Sequence, residues 1–198
     1  LIRFADAIEA NSFELAVLES LEAGKPISEC FNVDIPDTAN TIRWHAEAID
    51  KLYDEVAPTA KDCVATITRE PIGVVAAVLP WNFPAMMAGW KLGPALATGN
   101  SVILKPSELT SLSTLRLAEL ALEAGIPAGV LNIVPGLGHT AGKAIGLHPD
   151  IDLVAFTGST ATGRRFLEYS AASNLKRIVL ECGGKNPQIV MSDSGDIK

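Results

Sequence analysis

Apolar positions recur at helical spacing from the first residue: Leu1, Phe4, Ile8, Leu15, Leu18 and Leu21 fall on helical faces, and Ala23-Gly24-Lys25-Pro26 supplies a stop. This spacing predicts one long opening helix. A second amphipathic run from Asp37 to Tyr53 carries Ile42, Ala46, Ile49 and Leu52 in the same fashion. The period then changes, because Val64-Ala65-Thr66-Ile67-Thr68-Arg69-Glu70 alternates as a strand with one solvated face should.

From Ile72 onward, short β-branched runs alternate with helical ones. Gly73 to Leu79, Ser101 to Leu104, Leu131 to Val134, Leu153 to Phe156 and Arg177 to Leu180 read as strands. Helices are expected near Ala85 to Ala97, Leu112 to Ala124, Thr140 to Leu147 and Thr160 to Ser173. Strands and helices in strict alternation, joined by right-handed crossovers, give a parallel sheet with helices on both faces, so the fold class is α/β and Rossmann-like. Burial on both faces explains why Val74-Val75-Ala76-Ala77-Val78-Leu79 is continuously apolar rather than alternating. No internal repeat or low-complexity segment interrupts this order.

Composition narrows the partners. The chain has 198 residues, 48% hydrophobic and 20% charged, which is enough apolar material for a globular core. A net charge of -7, with no basic block, argues against nucleic acid or an anionic membrane surface as partner. The apolar runs are broken well before the ~20 residues that cross a bilayer. Three cysteines, at positions 30, 63 and 182, show neither metal-ligand spacing nor a complete disulfide framework, so no metal is expected and a reducing, cytoplasmic setting is favoured. The chain opens without Met and already at helical period, which reads as a fragment entered mid-helix.

Ligands of a parallel α/β sheet sit beyond the carboxyl ends of its strands, and the unusual polar residues of this chain fall there. Phe156-Thr157-Gly158-Ser159-Thr160-Ala161-Thr162-Gly163 turns from a strand into a helix: either an ordinary glycine turn with a hydroxyl cap, or a phosphate site built from free helix N–H groups. Lys105-Pro106-Ser107-Glu108 is either a solvated helix-start pair or a ribose reader whose carboxylate would repel a 2′-phosphate. Asn82, between two prolines in Pro80-Trp81-Asn82-Phe83-Pro84, is either a self-satisfied turn residue or a rigid donor for a developing oxyanion. Glu181, in Leu180-Glu181-Cys182-Gly183-Gly184-Lys185, is either paired with Lys185 or a general base raised by an apolar wall beside Leu180. Cys182 should point away from wherever Glu181 points, since adjacent strand residues face opposite sides.

In combination these segments resemble the signatures of the NAD(P)-dependent aldehyde dehydrogenases, and the similarity runs through the whole chain in motif order. Asp34-Ile35-Pro36, Ile42-Arg43-Trp44, Ala46 to Lys51 and Trp90 to Leu96 look closest to the γ-glutamyl-γ-aminobutyraldehyde dehydrogenases of bacterial polyamine catabolism. The resemblance implies an NAD-binding domain over 1–53 and 71–198 and an oligomerisation arm over 54–70, the full-length enzyme being a homo-dimer or homo-tetramer. It implies NAD contacts from Pro80, Trp81, Lys105, Ser107, Glu108, Gly138, Gly158, Ser159 and Thr162. Asn82 would be the oxyanion donor and Glu181 the general base for an aldehyde substrate, the reaction running through a cysteine thiohemiacetal and thioester. The family places that cysteine after the glutamate motif, hence beyond Lys198, and Cys182 stands where an aliphatic residue is usual. A non-catalytic nucleotide-binding protein that kept the fold is the alternative. An alcohol-type dehydrogenase would show G-x-G-x-x-G after the first strand, where Pro80 to Pro84 stands instead.

Overall fold

The computed structural model describes residues 1–184 and 186–195. Five parallel strands form the central sheet: β3 (Val74–Val78), β4 (Ser101–Lys105), β5 (Leu131–Ile133), β6 (Leu153–Gly158) and β7 (Arg177–Cys182). Their spatial order is β5-β4-β3-β6-β7. The chain therefore builds outward from β3 in one direction, then returns to its other side. Strand order reverses between β3 and β6, the place where doubly wound sheets leave a crevice at their carboxyl edge.

The expected alternation of strand and helix is present. Helices α5 (Pro84–Ala97), α6 (Leu112–Glu123), α7 (Lys143–Leu147, preceded by a π-helical turn Gly138–Gly142) and α8 (Thr160–Ala171) follow successive strands. The continuous apolar run in β3 is divided between two cores. Val75, Ala77 and Leu79 join Val102 and Leu104 of β4 and the helices α1 (Ile2–Ala10), α2 (Ser12–Ala23), α4 (Ile35–Ala48), α5 and α6, whereas Ala76 and Val78 join Val154, Phe156, Ile145 and Phe166 on the α7–α8 side. One strand thus seeds both layers.

The amino-terminal region departs from expectation. The single opening helix is two helices, α1 (Ile2–Ala10) and α2 (Ser12–Ala23). Asn11 separates them: its Nδ2 donates to the Ala7 carbonyl at 2.8 Å and its backbone leaves helical geometry at φ -109°. A side-chain amide that bonds local backbone offers an alternative to the helical ladder, and the chain takes it. Beyond Pro26, a short turn α3 (Ile27–Glu29) and a π-helical turn (Cys30–Asp34) lead into α4 (Ile35–Ala48), so the second helix starts two residues before Asp37 and ends five before Tyr53. Gly89 and Gly93 let α5 pack tightly on Thr38, Thr41 and His45 of α4.

Residues 54–70 form a separate antiparallel hairpin, β1 (Glu55–Ala57) with β2 (Ala65–Ile67). The strand expected from Val64 to Glu70 is shorter because Arg69 turns back, its backbone N–H bonding Asp54 and its guanidinium bonding Glu55 at 2.7 Å. Val56 and Val64 are exposed. Among the described residues, no helix is long and apolar enough to cross a membrane.

Candidate functional site

Four strand ends meet in one cleft of about 480 Å³ at the reversal point of the sheet. Pro80 and Trp81 come from the end of β3, Lys105, Ser107 and Glu108 from β4, Gly138 from the turn before α7, and Gly158, Ser159 and Thr162 from the β6–α8 junction. All nine residues assigned to a cofactor from sequence line this single cleft. His139, Arg165 and Tyr169 also line it and were not anticipated, having no glycine or strand-end signature to mark them.

The chemistry of the lining follows from local structure. Ser159 is the N-cap of α8, accepting from Thr162 N at 3.2 Å and donating to Thr162 Oγ1 at 3.0 Å. That leaves N–H groups of the first helical turn free, aimed along the positive end of the dipole, as an anionic diphosphate needs. A Cβ on Gly158 would come 2.6 Å from Phe156 Cζ, so the glycine keeps the backbone flat beneath the cleft. Lys105 is 3% exposed and its Nζ donates to the Pro106 carbonyl at 2.8 Å, with Glu108 Oε2 at 3.8 Å. Burial pulls the Lys105 ammonium below the ordinary lysine range, and the Glu108 charge opposes this. An ammonium on the inner wall and a half-exposed carboxylate at the rim could hold a ribose diol between them. The cleft as a whole could hold a dinucleotide.

Asn82 and Glu181 stand outside this lining. Asn82 is exposed at the amino end of α5, and its side chain makes no hydrogen bond among the described residues. Glu181 pairs in register with Thr157 of β6. The apolar wall expected around Glu181 is not formed by the described residues: β7 is the outer strand, and Glu181 is exposed. Its suggested partner Lys185 lies outside the described residues.

A residue that the sequence reading passed over lies between these groups. Lys91, on α5, donates to Thr157 Oγ1 at 2.7 Å. Burial lowers its affinity for a proton, and the Glu181 carboxylate counteracts this, so the two charges sense one another. The available signal was composition, since Lys91 is the only charged residue in the fourteen-residue helix Pro84–Ala97. Cys182 faces the other way. A Cβ on Gly163 of α8 would come 2.8 Å from its Sγ, and burial, then the charge of Glu181, push its thiol up in pKa. Those are the conditions of a packing residue rather than a nucleophile.

A second polar group is buried behind the Asn82 turn. Glu19 of α2, Cys30 and Asp34 offer ligand atoms within 4.8 Å of one another. Such a set could hold a cation, but the Lys25 ammonium already pairs with Asp34. Both acidic positions sit on buried helical stripes, Glu19 one turn after Leu15 and Asp34 one turn before Thr38.

Comparison with known proteins bears on this geometry. The chain is 61% identical over 197 residues to aminoacetaldehyde dehydrogenase of Pseudomonas aeruginosa, covering all of this chain and 40% of that protein. It superposes with a TM-score of 0.94 on indole-3-acetaldehyde dehydrogenase in complex with NAD+, at 60% identity, covering 98% of this chain and 39% of that one. It also superposes at 0.93 on γ-glutamyl-γ-aminobutyraldehyde dehydrogenase from Burkholderia cenocepacia J2315, at 56% identity and 98% and 39% coverage. The chain thus spans about 40% of the length of the curated relatives it matches. With the model of the aldehyde dehydrogenase family matched from residue 1 to residue 198, and solved relatives superposing this well, the chain belongs to the aldehyde dehydrogenase family.

Proposed function

We propose that these residues bind NAD for a cytoplasmic, oligomeric enzyme that oxidises an aldehyde to a carboxylic acid. The observation that carries this reading is the convergence of strand-end residues from β3, β4 and β6 on one cleft. When bound, NAD supplies the hydride acceptor. The free N–H groups of α8 and Ser159 bind its diphosphate, and Lys105 and Glu108 orient a ribose. Asn82 donates its side-chain N–H to the aldehyde oxygen as charge develops there, and the prolines around it limit the reorientation that would otherwise cost rate. A cysteine outside these residues is the nucleophile. Glu181 takes a proton from the water that hydrolyses the thioester left once the hydride has gone from the thiohemiacetal. The relatives named for aminoacetaldehyde and γ-glutamyl-γ-aminobutyraldehyde support an amino- or γ-glutamylamino-aldehyde as substrate. The exposed hairpin 54–70 is the arm through which protomers would associate.

The decisive experiment is Glu181→Gln in the complete enzyme. It keeps the side chain's shape and removes the base, so deacylation is expected to slow by about 10²- to 10⁴-fold, with NAD binding unchanged. Undiminished steady-state turnover would exclude Glu181 as the base. Glu108→Gln removes the carboxylate that would repel a 2′-phosphate. The ratio of kcat/KM for NAD over NADP is expected to fall by about tenfold or more, the equivalent of roughly 1.4 kcal/mol. An unchanged ratio would rule out Glu108 as the selector.

A further inference from the structure

Glu19, Lys25 and Asp34 take no part in the cleft, yet the two acids are among the most buried polar groups of the molecule: Glu19 is 0% and Asp34 1% exposed. A buried charge is retained only where its partners compensate for lost water. Asp34 has the Lys25 ammonium. Glu19 faces the Asp34 carboxyl on one side, and on the other its Oε2 accepts from the backbone N–H of Ala85 at 3.3 Å. Ala85 follows Pro84 at the start of α5, so the acceptor holds one of the orphan N–H groups of that helix. Lys25 completes the contact from the other side, its Nζ lying 4.0 Å above the ring of Phe83.

We propose that this buried Glu19–Asp34–Lys25 group is a positioning device for the Pro80–Pro84 turn, clamping Phe83 and Ala85 on either side of Pro84 and so fixing Asn82 at the head of α5. The idea rests on the reading of Asn82 as the oxyanion donor for its catalytic meaning, though the clamp itself is a property of the fold. Asn82 makes no side-chain hydrogen bond among the described residues, so its placement must come from its neighbours. Phe83 and the residues after Pro84 are the neighbours that are held. Burial first, then a side-chain hydrogen bond to Asp34 and its charge, raises Glu19 to a pKa of about 8, which favours the protonated carboxyl at neutral pH. The titratable groups facing it are Cys30, Asp34 and Lys25, and α5 contributes only the Ala85 N–H. A neutral carboxyl accepting a backbone N–H is a group that glutamine can replace.

Backbone hydrogen–deuterium exchange of residues 81–88 tests this. Glu19→Ala is expected to speed exchange of the Ala85 amide by about tenfold relative to the β3 and β4 core amides, and Glu19→Gln to restore it through its carbonyl. Lys25→Met keeps the stem and removes the ammonium, and is expected to speed exchange of the Phe83 amide and of Met87, whose N–H donates to the Phe83 carbonyl at 2.9 Å, by about threefold even if Glu19→Ala does not fold. Unchanged local exchange in Lys25→Met, or equal loss in the Gln and Ala variants, overturns the clamp. If Ala85 loosens and glutamine rescues it, while aldehyde turnover of the complete enzyme is the same in all variants, the clamp stands and the role of Asn82 falls.

Discussion

Gly158→Ala is expected to weaken NAD+ binding by about 10- to 100-fold while leaving the sheet intact. The added methyl would lie 2.6 Å from Phe156 Cζ and 3.2 Å from Cε2, closer than packed carbons tolerate. Phe156 cannot simply rotate away, because it is 5% exposed and its ring packs 5.1 Å from that of Phe166. The relief available is toward the cleft, which Phe156 and Gly158 both line. Displacing a well-packed aromatic costs about 1–3 kcal/mol, and each 1.4 kcal/mol taken from binding is tenfold in Kd. Calorimetric titration with NAD+ measures the effect. A native Kd would show that the cofactor does not pass over this turn.

A larger loss of stability is expected at the opposite edge of the sheet. Gly73 precedes β3 with φ +122°, and a Cβ there would overlap Asp152 Oδ2. Asp152 Oδ2 is already committed, accepting from Val74 N at 2.8 Å, while the Gly73 N–H donates to Asn100 Oδ1 at 3.0 Å and its carbonyl accepts from Ser101. Three strand starts, those of β3, β4 and β6, are tied at this point. Gly73→Ala would combine backbone strain with loss of a charge-assisted hydrogen bond, for on the order of 3–5 kcal/mol. Denaturant midpoints would reveal it. Asp152→Ala should remove the overlap, so the double variant is expected to be less destabilised than the sum of the two single changes. Additive values would mean that the strain lies in Gly73 alone.

Where the sequence was informative, the reason is physical. Parallel strands covered on both faces must be continuously apolar, so Val74 to Leu79 announced β3, and the polar residues that interrupt such runs at their carboxyl ends announced the cleft. Spacing alone did not expose the break at Asn11, because apolar positions before and after it keep a helical period and only the side-chain bond to Ala7 decides the matter. Glu19 and Lys91 were silent for a similar reason. An acid on an apolar stripe and a lone lysine in an apolar helix acquire meaning from partners distant in sequence, Ala85 for one and Thr157 for the other. The setting of Glu181 is not decided by the described residues, since a side chain on an outer strand is covered only by what packs beyond it.

The place of β3 at the middle of the sheet has a kinetic consequence. Its pairing with β4 joins near neighbours in sequence, whereas its pairing with β6 must enclose β4, α6, β5 and α7. Closing the larger loop costs more chain entropy before any contact rewards it. The core on the α1–α6 side can therefore consolidate first, and the cleft comes into being only when β6 docks. A ligand of this cleft would meet a site that forms after that core, so it should slow unfolding rather than hasten the initial collapse.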